Sequence, residues 1–148
     1  MKFLIINGPN LNFLGIREPE LYGKRDYKAL TACCEESCRA LGVDCEIFQS
    51  NHEGAIVDRI QAAFGNTDGI IINPAAYTHT SVAILDALKA VGIPAVEVHL
   101  TDIHSREAFR HISYAGMACI RTFAGFGFEG YGMAAEYLKE YIEKGCSE

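Results

Sequence analysis

Short apolar runs alternate with longer stretches of helical period along this chain. The apolar runs are typical of parallel strands in a sheet that is covered by helices on both faces. They lie near residues 2–6, 43–48, 69–73, 94–98 and 117–122. The helical stretches lie near residues 26–41, 54–65, 80–91, 105–111 and 130–144. The pattern therefore predicts an α/β protein of five βα units.

The number of units indicates a topology. Five βα units suit a doubly wound, flavodoxin-like parallel sheet of strand order 2-1-3-4-5, and a Rossmann-type order also satisfies the right-handed crossover rule. A chain of 148 residues fits one hydrophobic core, and no linker-like composition divides it. We therefore expect one domain over residues 1–148.

Polar residues cluster where three of the predicted strands end. The clusters are Asn7-Gly8-Pro9-Asn10 at the first strand, Asn73 with Thr78-His79-Thr80 at the third, and Glu97-Val98-His99 at the fourth. Parallel strands end at one edge of their sheet, and open α/β sheets bind ligands at that edge. The sequence therefore predicts a ligand site there.

A long connection follows the first strand. It runs over about 18 residues, from Gly8 to Arg25, where ~2 to 6 are usual, and this length predicts a lid over the strand ends. Arg17 and Tyr22 lie in it. A guanidinium favours a neighbouring tyrosinate, which is basic enough to remove a proton next to a carbonyl. The alternative is a solvated arginine and a tyrosine packed on the surface.

The fourth strand could supply an acid. Glu97 and His99 are two residues apart, so their side chains share one face of the strand. A carboxylate beside an imidazole favours its protonated form and fixes its tautomer, which would let His99 protonate a leaving hydroxyl. A purely structural histidine is the alternative. Metal binding by these residues with His79, His104 and His111 is a further alternative, but their spacing matches no metal motif.

Other residues near this edge favour an anionic ligand. Asn73 and the segment from Thr78 to Ser81 precede a predicted helix, whose N-terminus attracts a carboxylate or phosphate. Thr80 or Ser81 could instead serve only as the helix N-cap. Arg106 and Arg110 could bind the same anion or remain surface charges.

Composition narrows the function classes. The net charge of -6 argues against a nucleic-acid partner. No apolar stretch approaches the roughly 20 residues of a membrane span, so we expect no membrane role. Met1-Lys2 opens directly into a strand-like run, which favours a cytoplasmic protein. The six cysteines are expected to be reduced, with Cys34 and Cys38 packing on a helical stripe.

Two non-enzymatic functions fit the predicted fold less well. An electron carrier needs a Ser/Thr/Gly-rich phosphate loop after the first strand, and Gly8-Pro9-Asn10-Leu11 is a poor one. A phosphoacceptor domain needs an aspartate at the end of the third strand, where Asn73 stands.

Five ordered blocks of residues carry a resemblance to a known family. They are Ile6-Asn7-Gly8-Pro9-Asn10-Leu11-Asn12 with Leu14-Gly15, Arg17-Glu18-Pro19 and Tyr22-Gly23; Ser50-Asn51-His52-Glu53-Gly54; Asn73-Pro74 with Tyr77-Thr78-His79-Thr80-Ser81; Glu97-Val98-His99-Leu100 with Arg106-Glu107 and Phe109-Arg110; and Ala124-Gly125-Phe126-Gly127 with Gly130-Tyr131. In this order and at these separations they resemble the type II 3-dehydroquinate dehydratases almost from end to end.

The resemblance implies dehydration of 3-dehydroquinate to 3-dehydroshikimate, in the shikimate pathway or in quinate catabolism. It implies a homo-oligomer, a dodecamer built as a tetramer of trimers, and neither a metal nor an organic cofactor. By resemblance, Tyr22 is the base, Arg17 keeps it ionised, and Asn10 helps hold a water against the enolate. His99, supported by Glu97, is the acid. The residues implied in substrate binding are Asn73, His79, Leu100, Thr101 and Arg110, with Asp86 approaching a neighbouring subunit's site.

Four residues depart from the family's usual pattern. Ala75 stands where glycine is usual, Leu85 where arginine is common, Asp102 where asparagine is usual and Phe128 where proline is frequent. Leu85 could alter the subunit contact around Asp86, and Asp102 adds negative charge near the anion site. None of the four removes a proposed catalytic group.

Overall fold

The strands of this protein run parallel in one sheet. The structure, a computed structural model, describes residues 1–16, 18, 20 and 24–145. Within them, five strands pair in the order β2-β1-β3-β4-β5, which confirms the flavodoxin-like prediction and excludes the Rossmann-type order. The strands are β1 (Lys2–Asn7), β2 (Asp44–Gln49), β3 (Gly69–Asn73), β4 (Ala95–His99) and β5 (Arg121–Ala124).

Four α-helices cover the two faces of the sheet within the described residues. They are α1 (Tyr27–Ala40), α2 (Glu53–Ala62), α3 (Val82–Val91) and α4 (Glu129–Gly145). The start of α1 is fixed by the carboxylate of Asp26, which accepts from the Ala29 N–H, and the start of α3 by the Ser81 hydroxyl, which accepts from the Ile84 N–H. Ser81 is therefore an N-cap.

Alternation along the central strands divides the core into two layers. On β1, Phe3 and Ile5 belong to the core under α1 and α4, whereas Leu4 and Ile6 belong to the core under α2 and α3. Every residue of β3 and β4 is buried, which is the expected result for parallel strands covered on both faces.

The cysteines behave as predicted where the structure describes them. Cys34 and Cys38 are buried in the layer under α1, and the five described cysteines are free thiols. Burial raises the pKa of the Cys38 thiol to about 12 and that of Cys34 still further, so both stay protonated. Packing is thus their role in the fold.

The predicted helix over residues 105–111 is wrong. Two short 3-10 turns, Ile103–Ser105 and Ala108–Arg110, occupy this stretch. Arg106 has extended backbone between them, and Ile103 is the one buried residue of the two turns, so no apolar stripe holds a longer helix against the core. Within the described chain, the crossover from β4 to β5 therefore carries no α-helix.

The fifth strand also lies later than predicted. A 3-10 turn over Ala115–Ala118 takes up part of the predicted span 117–122, and β5 begins at Arg121. The described residues contain no helix that is both long and apolar enough to cross a membrane.

Candidate active site

A cavity opens at the edge of the sheet where β1, β3 and β4 end. Seven predicted site residues line it: Asn10, Asn73, His79, His99, Leu100, Thr101 and Arg110. Glu97 lies directly behind His99. The topology explains this convergence, because β1 and β3 are neighbours at the point where the strand order reverses and β4 follows β3.

Besides Glu97, three predicted site residues are not among the described residues of the cavity wall. Arg17 and Tyr22 lie outside the described residues, so their predicted pairing stays a prediction. Asp86 is exposed on α3 and is not among the described residues of the cavity wall. Its predicted approach to a neighbouring subunit also stays a prediction.

The central feature of the site is a buried ion pair. The Nε2 atom of His99 lies 2.8 Å from Oε1 of Glu97, and the two residues are 5% and 1% exposed. With a carboxylate as its partner, Nε2 must donate, which fixes the tautomer of the ring. Nδ1 is then the ring nitrogen that remains to exchange a proton with a ligand in the cavity.

Glu97 is held as a carboxylate. Burial acts to raise its pKa, but hydrogen bonds from His99, Ser113 and Thr122 outweigh that effect and hold the pKa of Glu97 below its ordinary value. The site therefore keeps a fixed negative charge next to His99 at neutral pH.

His79 serves a different purpose from His99. Its Nδ1 lies 2.8 Å from the carbonyl oxygen of Ile112, to which it donates. Burial is the main cause that lowers the pKa of His79, with further lowering from His99 and Arg110. A neutral His79 presents Nε2 as an acceptor for a ligand hydroxyl.

Asn73 is oriented by a network of neutral groups. Its Oδ1 accepts from the Ala75 N–H at 3.1 Å and its Nδ2 donates to the Tyr131 hydroxyl at 3.0 Å. Tyr131 donates in turn to Oδ1 of Asn7 at 2.7 Å, and Nδ2 of Asn7 lies 3.4 Å from the Tyr27 hydroxyl. These bonds fix the Asn73 amide and leave its second Nδ2 hydrogen for a ligand.

Positive charge also lines the cavity. Arg106 and Arg110 both line it. The Nε atom of Arg110 donates to Glu107 at 2.8 Å, which orients the guanidinium and leaves other N–H groups for an anionic ligand. The predicted anion site therefore has the charges that it needs, although a pair of 3-10 turns carries them.

The metal alternative finds no set of ligands in the described chain. Among residues 1–16, 18, 20 and 24–145, no three His, Cys, Asp or Glu side chains are grouped so that they could hold a metal ion. The rings of His104 and His111 lie 5.4 Å apart, and His111 bonds the carbonyl oxygen of Arg106.

Residues 1–139 match the family model described as dehydroquinase class II. The chain belongs to this family. It is 50% identical over 144 residues to a 3-dehydroquinate dehydratase of Clostridium acetobutylicum, which covers 97% of this chain and 100% of that protein. It is 53% identical over 137 residues to catabolic 3-dehydroquinase 1 of Neosartorya fischeri, covering 93% of this chain and 91% of that protein.

A solved structure supports the same conclusion. The crystal structure of type II dehydroquinase from Butyrivibrio crossotus superimposes with a TM-score of 0.92 at 52% identity, covering 94% of this chain and 97% of that chain. Class II dehydroquinases are dehydratases, that is, hydro-lyases, and this chain is a member of that enzyme family.

Two of the departures from the dehydroquinase pattern adjoin the site. Ala75, on the cavity wall, has φ +53°, a left-handed conformation that glycine adopts without strain. The carboxylate of Asp102 accepts from the His104 N–H, so it caps the first 3-10 turn. Asp102 is not among the described residues of the cavity wall.

The other two departures are packing residues. Phe128 is 2% exposed, and the guanidinium carbon of Arg25 lies 4.2 Å from its ring centroid. The phenyl ring thus fills the core and supports the chain that leads into α1. Leu85 is 8% exposed on α3, where it is buried beside the exposed Asp86.

Sequence reasoning missed the groups behind the cavity wall. The hydroxyls of Ser113 and Thr122 both donate to Glu97, and Tyr131 orients Asn73. Thr122 is opposite Glu97 in the pairing of β4 with β5. This contact follows from the register between β4 and β5. A pattern of apolar runs locates strands but does not give the register between them.

Proposed function

We propose that this chain dehydrates 3-dehydroquinate to 3-dehydroshikimate. The observation that carries the proposal is the buried Glu97–His99 pair beside an anion-binding wall, in a chain of the class II dehydroquinase family. The reaction removes a proton from C2 and the hydroxyl from C1 as water, and leaves a C1=C2 double bond conjugated with the C3 ketone.

His99 is the acid in this proposal. Its Nδ1 proton goes to the C1 hydroxyl as the C1–O bond breaks, and water leaves. The support is geometric: Glu97 holds Nε2 at 2.8 Å, so the ring stays in one orientation through the proton transfer. The fixed carboxylate also stabilises the imidazolium before transfer.

Other residues of the cavity wall bind the substrate carboxylate and ring hydroxyls. Arg110 supplies the charge, Asn73 an oriented amide donor and His79 a neutral acceptor. Leu100 and Thr101 complete this wall. A carboxylate bound between a guanidinium and neutral donors keeps the C1 hydroxyl in one position, and fixed positioning is a large part of catalysis.

The base in the proposal is Tyr22, ionised by Arg17, with Asn10 holding a water against the enolate oxygen. The described residues of the cavity wall include no carboxylate, cysteine, lysine or tyrosine, and their two histidines have other partners. This composition supports a base from the lid. Asn10 has φ +68° and its N–H donates to Asn51 at 3.0 Å, so the backbone at the lid's first turn is fixed.

Absorbance of the conjugated enone tests the activity. When 3-dehydroquinate is added to the purified protein, we expect an absorbance rise in the wild type and none in Tyr22→Phe, with substrate binding retained. His79→Asn is the matched variant: it keeps measurable turnover if the base is Tyr22. If turnover is lost in His79→Asn and normal in Tyr22→Phe, the base is His79 and the proposed role of Tyr22 is wrong.

The assembly is part of the proposal. We propose a homododecamer built as a tetramer of trimers, with Asp86 near a neighbouring subunit's site. Large apolar side chains on the described surface support association, among them Phe109, which is 67% exposed, and Met117, which is 62% exposed. Light scattering of the eluted protein measures the mass, and a monomer with full turnover would contradict this assembly. Biosynthetic and quinate-catabolic roles involve the same reaction, and the cytoplasmic location stays a prediction.

A further inference from the structure

The carboxylate of Glu97 has more hydrogen-bond donors than a simple ion pair requires. Oε1 accepts from His99 and from the hydroxyl of Ser113, and Oε2 accepts from the hydroxyl of Thr122 at 3.0 Å. Donors on both oxygens fix the rotation of the carboxylate as well as its position. The pair with His99 alone would leave that rotation open.

The donors come from two separate parts of the fold. Thr122 lies on β5 opposite Glu97 in the strand register, and Ser113 lies in the crossover before β5. Ser113 is itself oriented, because its Oγ accepts from the Gly116 N–H at 2.9 Å. The crossover also bonds to the segment after β3, since the Tyr114 N–H donates to the Thr78 carbonyl oxygen at 2.9 Å.

Gly116 shows how closely the crossover fits the carboxylate. A Cβ added at this glycine would lie 2.5 Å from Oε2 of Glu97 and 2.9 Å from Oγ of Ser113. Distances this short require one of the groups to move. A side chain at position 116 would therefore displace the Glu97 carboxylate, the Ser113 hydroxyl or the crossover itself.

We infer that Ser113 and Thr122 are positioning residues, which hold the Glu97 carboxylate ionised and aimed at Nε2 of His99. Neither is among the described residues of the cavity wall, so they act on the acid only through Glu97. For its effect on turnover the inference rests on the proposed function, whereas its effect on Glu97 itself does not.

Three other titratable groups interact with Glu97 and could affect its titration. They are His99, His79 and the thiol of Cys119. Burial is the main cause that raises the pKa of Cys119, and the Glu97 charge adds to it, so this thiol stays neutral. His79 is common to all the variants below and cancels in the comparison.

Thr122→Val gives the cleanest test, because Thr122 is exposed and valine has the same shape without the hydroxyl. Thr122→Ser restores the hydroxyl. Thr67→Val is the matched control, since the Thr67 hydroxyl donates to a side chain, that of Asn66, and Thr67 precedes the start of β3, whereas the site lies where β3 ends. Ser113→Ala removes the other donor.

The primary readout is the titration of the Glu97 carboxyl carbon by NMR in ¹³C-glutamate-labelled protein, assigned with Glu97→Gln. Loss of a hydrogen bond to a charged group is expected to move the midpoint up by about one to two pH units in Thr122→Val and Ser113→Ala. Thr122→Ser and Thr67→Val should titrate like the wild type. Midpoints that coincide in Thr122→Val, Ser113→Ala and the wild type would overturn the inference.

Turnover supplies the second readout. We expect kcat to fall roughly 10-fold in Thr122→Val with KM unchanged, because an acid is affected and substrate contacts are not. A rise in KM at constant kcat would overturn the positioning role. A wild type that titrates as expected but does not dehydrate 3-dehydroquinate would refute the proposed function alone.

Discussion

Two buried polar networks lie at the same edge of the sheet, and they differ in charge. The network around Glu97 is ionic, with His99, Ser113 and Thr122 as donors to one carboxylate. The network around Asn73 is neutral and joins two amides through the Tyr131 hydroxyl. Burial raises the pKa of Tyr131 well above its ordinary value, so this network keeps its hydrogen-bond pattern as pH changes.

The difference separates two tasks within one site. An ionic network can stabilise an imidazolium and supply a proton, but it depends on pH. A neutral network cannot supply a proton near neutral pH, yet it holds an amide donor in one orientation under all conditions in which the protein is folded. Substitutions in the first should therefore affect kcat, and substitutions in the second should affect KM and stability.

Glu97→Gln should have the largest effect. The amide has nearly the same shape but no charge, so the imidazolium of His99 loses its partner. We expect kcat to fall by about 10²-fold or more, within the range for general acid catalysis. Steady-state rates measure this change, and Glu140→Gln, at an exposed acid on α4 that is not among the described residues of the cavity wall, is the control. Comparable rates for Glu97→Gln and the wild type would contradict the ionic role.

Tyr131→Phe should break the neutral network without affecting the acid. Oδ1 of Asn7 loses its donor and Nδ2 of Asn73 loses its acceptor, both in a buried place. We expect a loss of about 1–3 kcal/mol in the free energy of unfolding and a higher KM. Urea unfolding and steady-state kinetics measure both. A change in kcat alone would mean that the two networks are not separable.

The pH dependence of stability should also distinguish the networks. The folded-state pKa of Glu97 is below its unfolded value, so its contribution is fully present above the unfolded value of about 4.5 and is lost as pH falls through the folded value. In a plot of the free energy of unfolding against pH, Glu97→Gln should reduce the slope in this acid range. Tyr131→Phe should leave that slope unchanged. Urea unfolding between neutral and acid pH provides the test. The effect should be smaller than that of Tyr131→Phe, because burial offsets part of the hydrogen bonding.

Ala75→Gly should change the free energy of unfolding least. It tests backbone strain at a residue that bonds to Asn73 in the neutral network. Ala75 donates its N–H to Asn73 from a left-handed conformation, which costs an alanine roughly 1 kcal/mol or more. Glycine relieves that strain but gains freedom in the unfolded chain, so we expect a net gain of about 0.5 kcal/mol. Ala76→Gly, beside it and without a positive φ, should instead destabilise. Equal losses in both variants would mean that Ala75 is unstrained.

Strand burial explains which parts of the fold could be predicted. Residues such as Ile70, Ile71 and Ile72 are buried on both faces of the sheet, and this environment requires a continuous apolar run that is visible in the sequence. The stretch over residues 105–111 has no such requirement, and the helix predicted there does not form. Local propensity decides little where no core is buried.

The site was predictable to the extent that it follows the strand ends. Asn10, Asn73 and His99 converge because parallel strands finish at one edge. Thr122 and Tyr131 contact this edge through pairing and packing over a long sequence separation, which no local pattern records. Family resemblance identified the groups expected to touch substrate, and the structure adds those that hold them.

The most direct test of the account compares the wild type with His99→Ala, following enone formation from 3-dehydroquinate and, separately, substrate binding by calorimetry. The account predicts turnover in the wild type and a loss of roughly 10²-fold or more in His99→Ala, with binding retained through Arg110 and Asn73. Equal turnover in the two proteins, or none in a folded wild type, would contradict it.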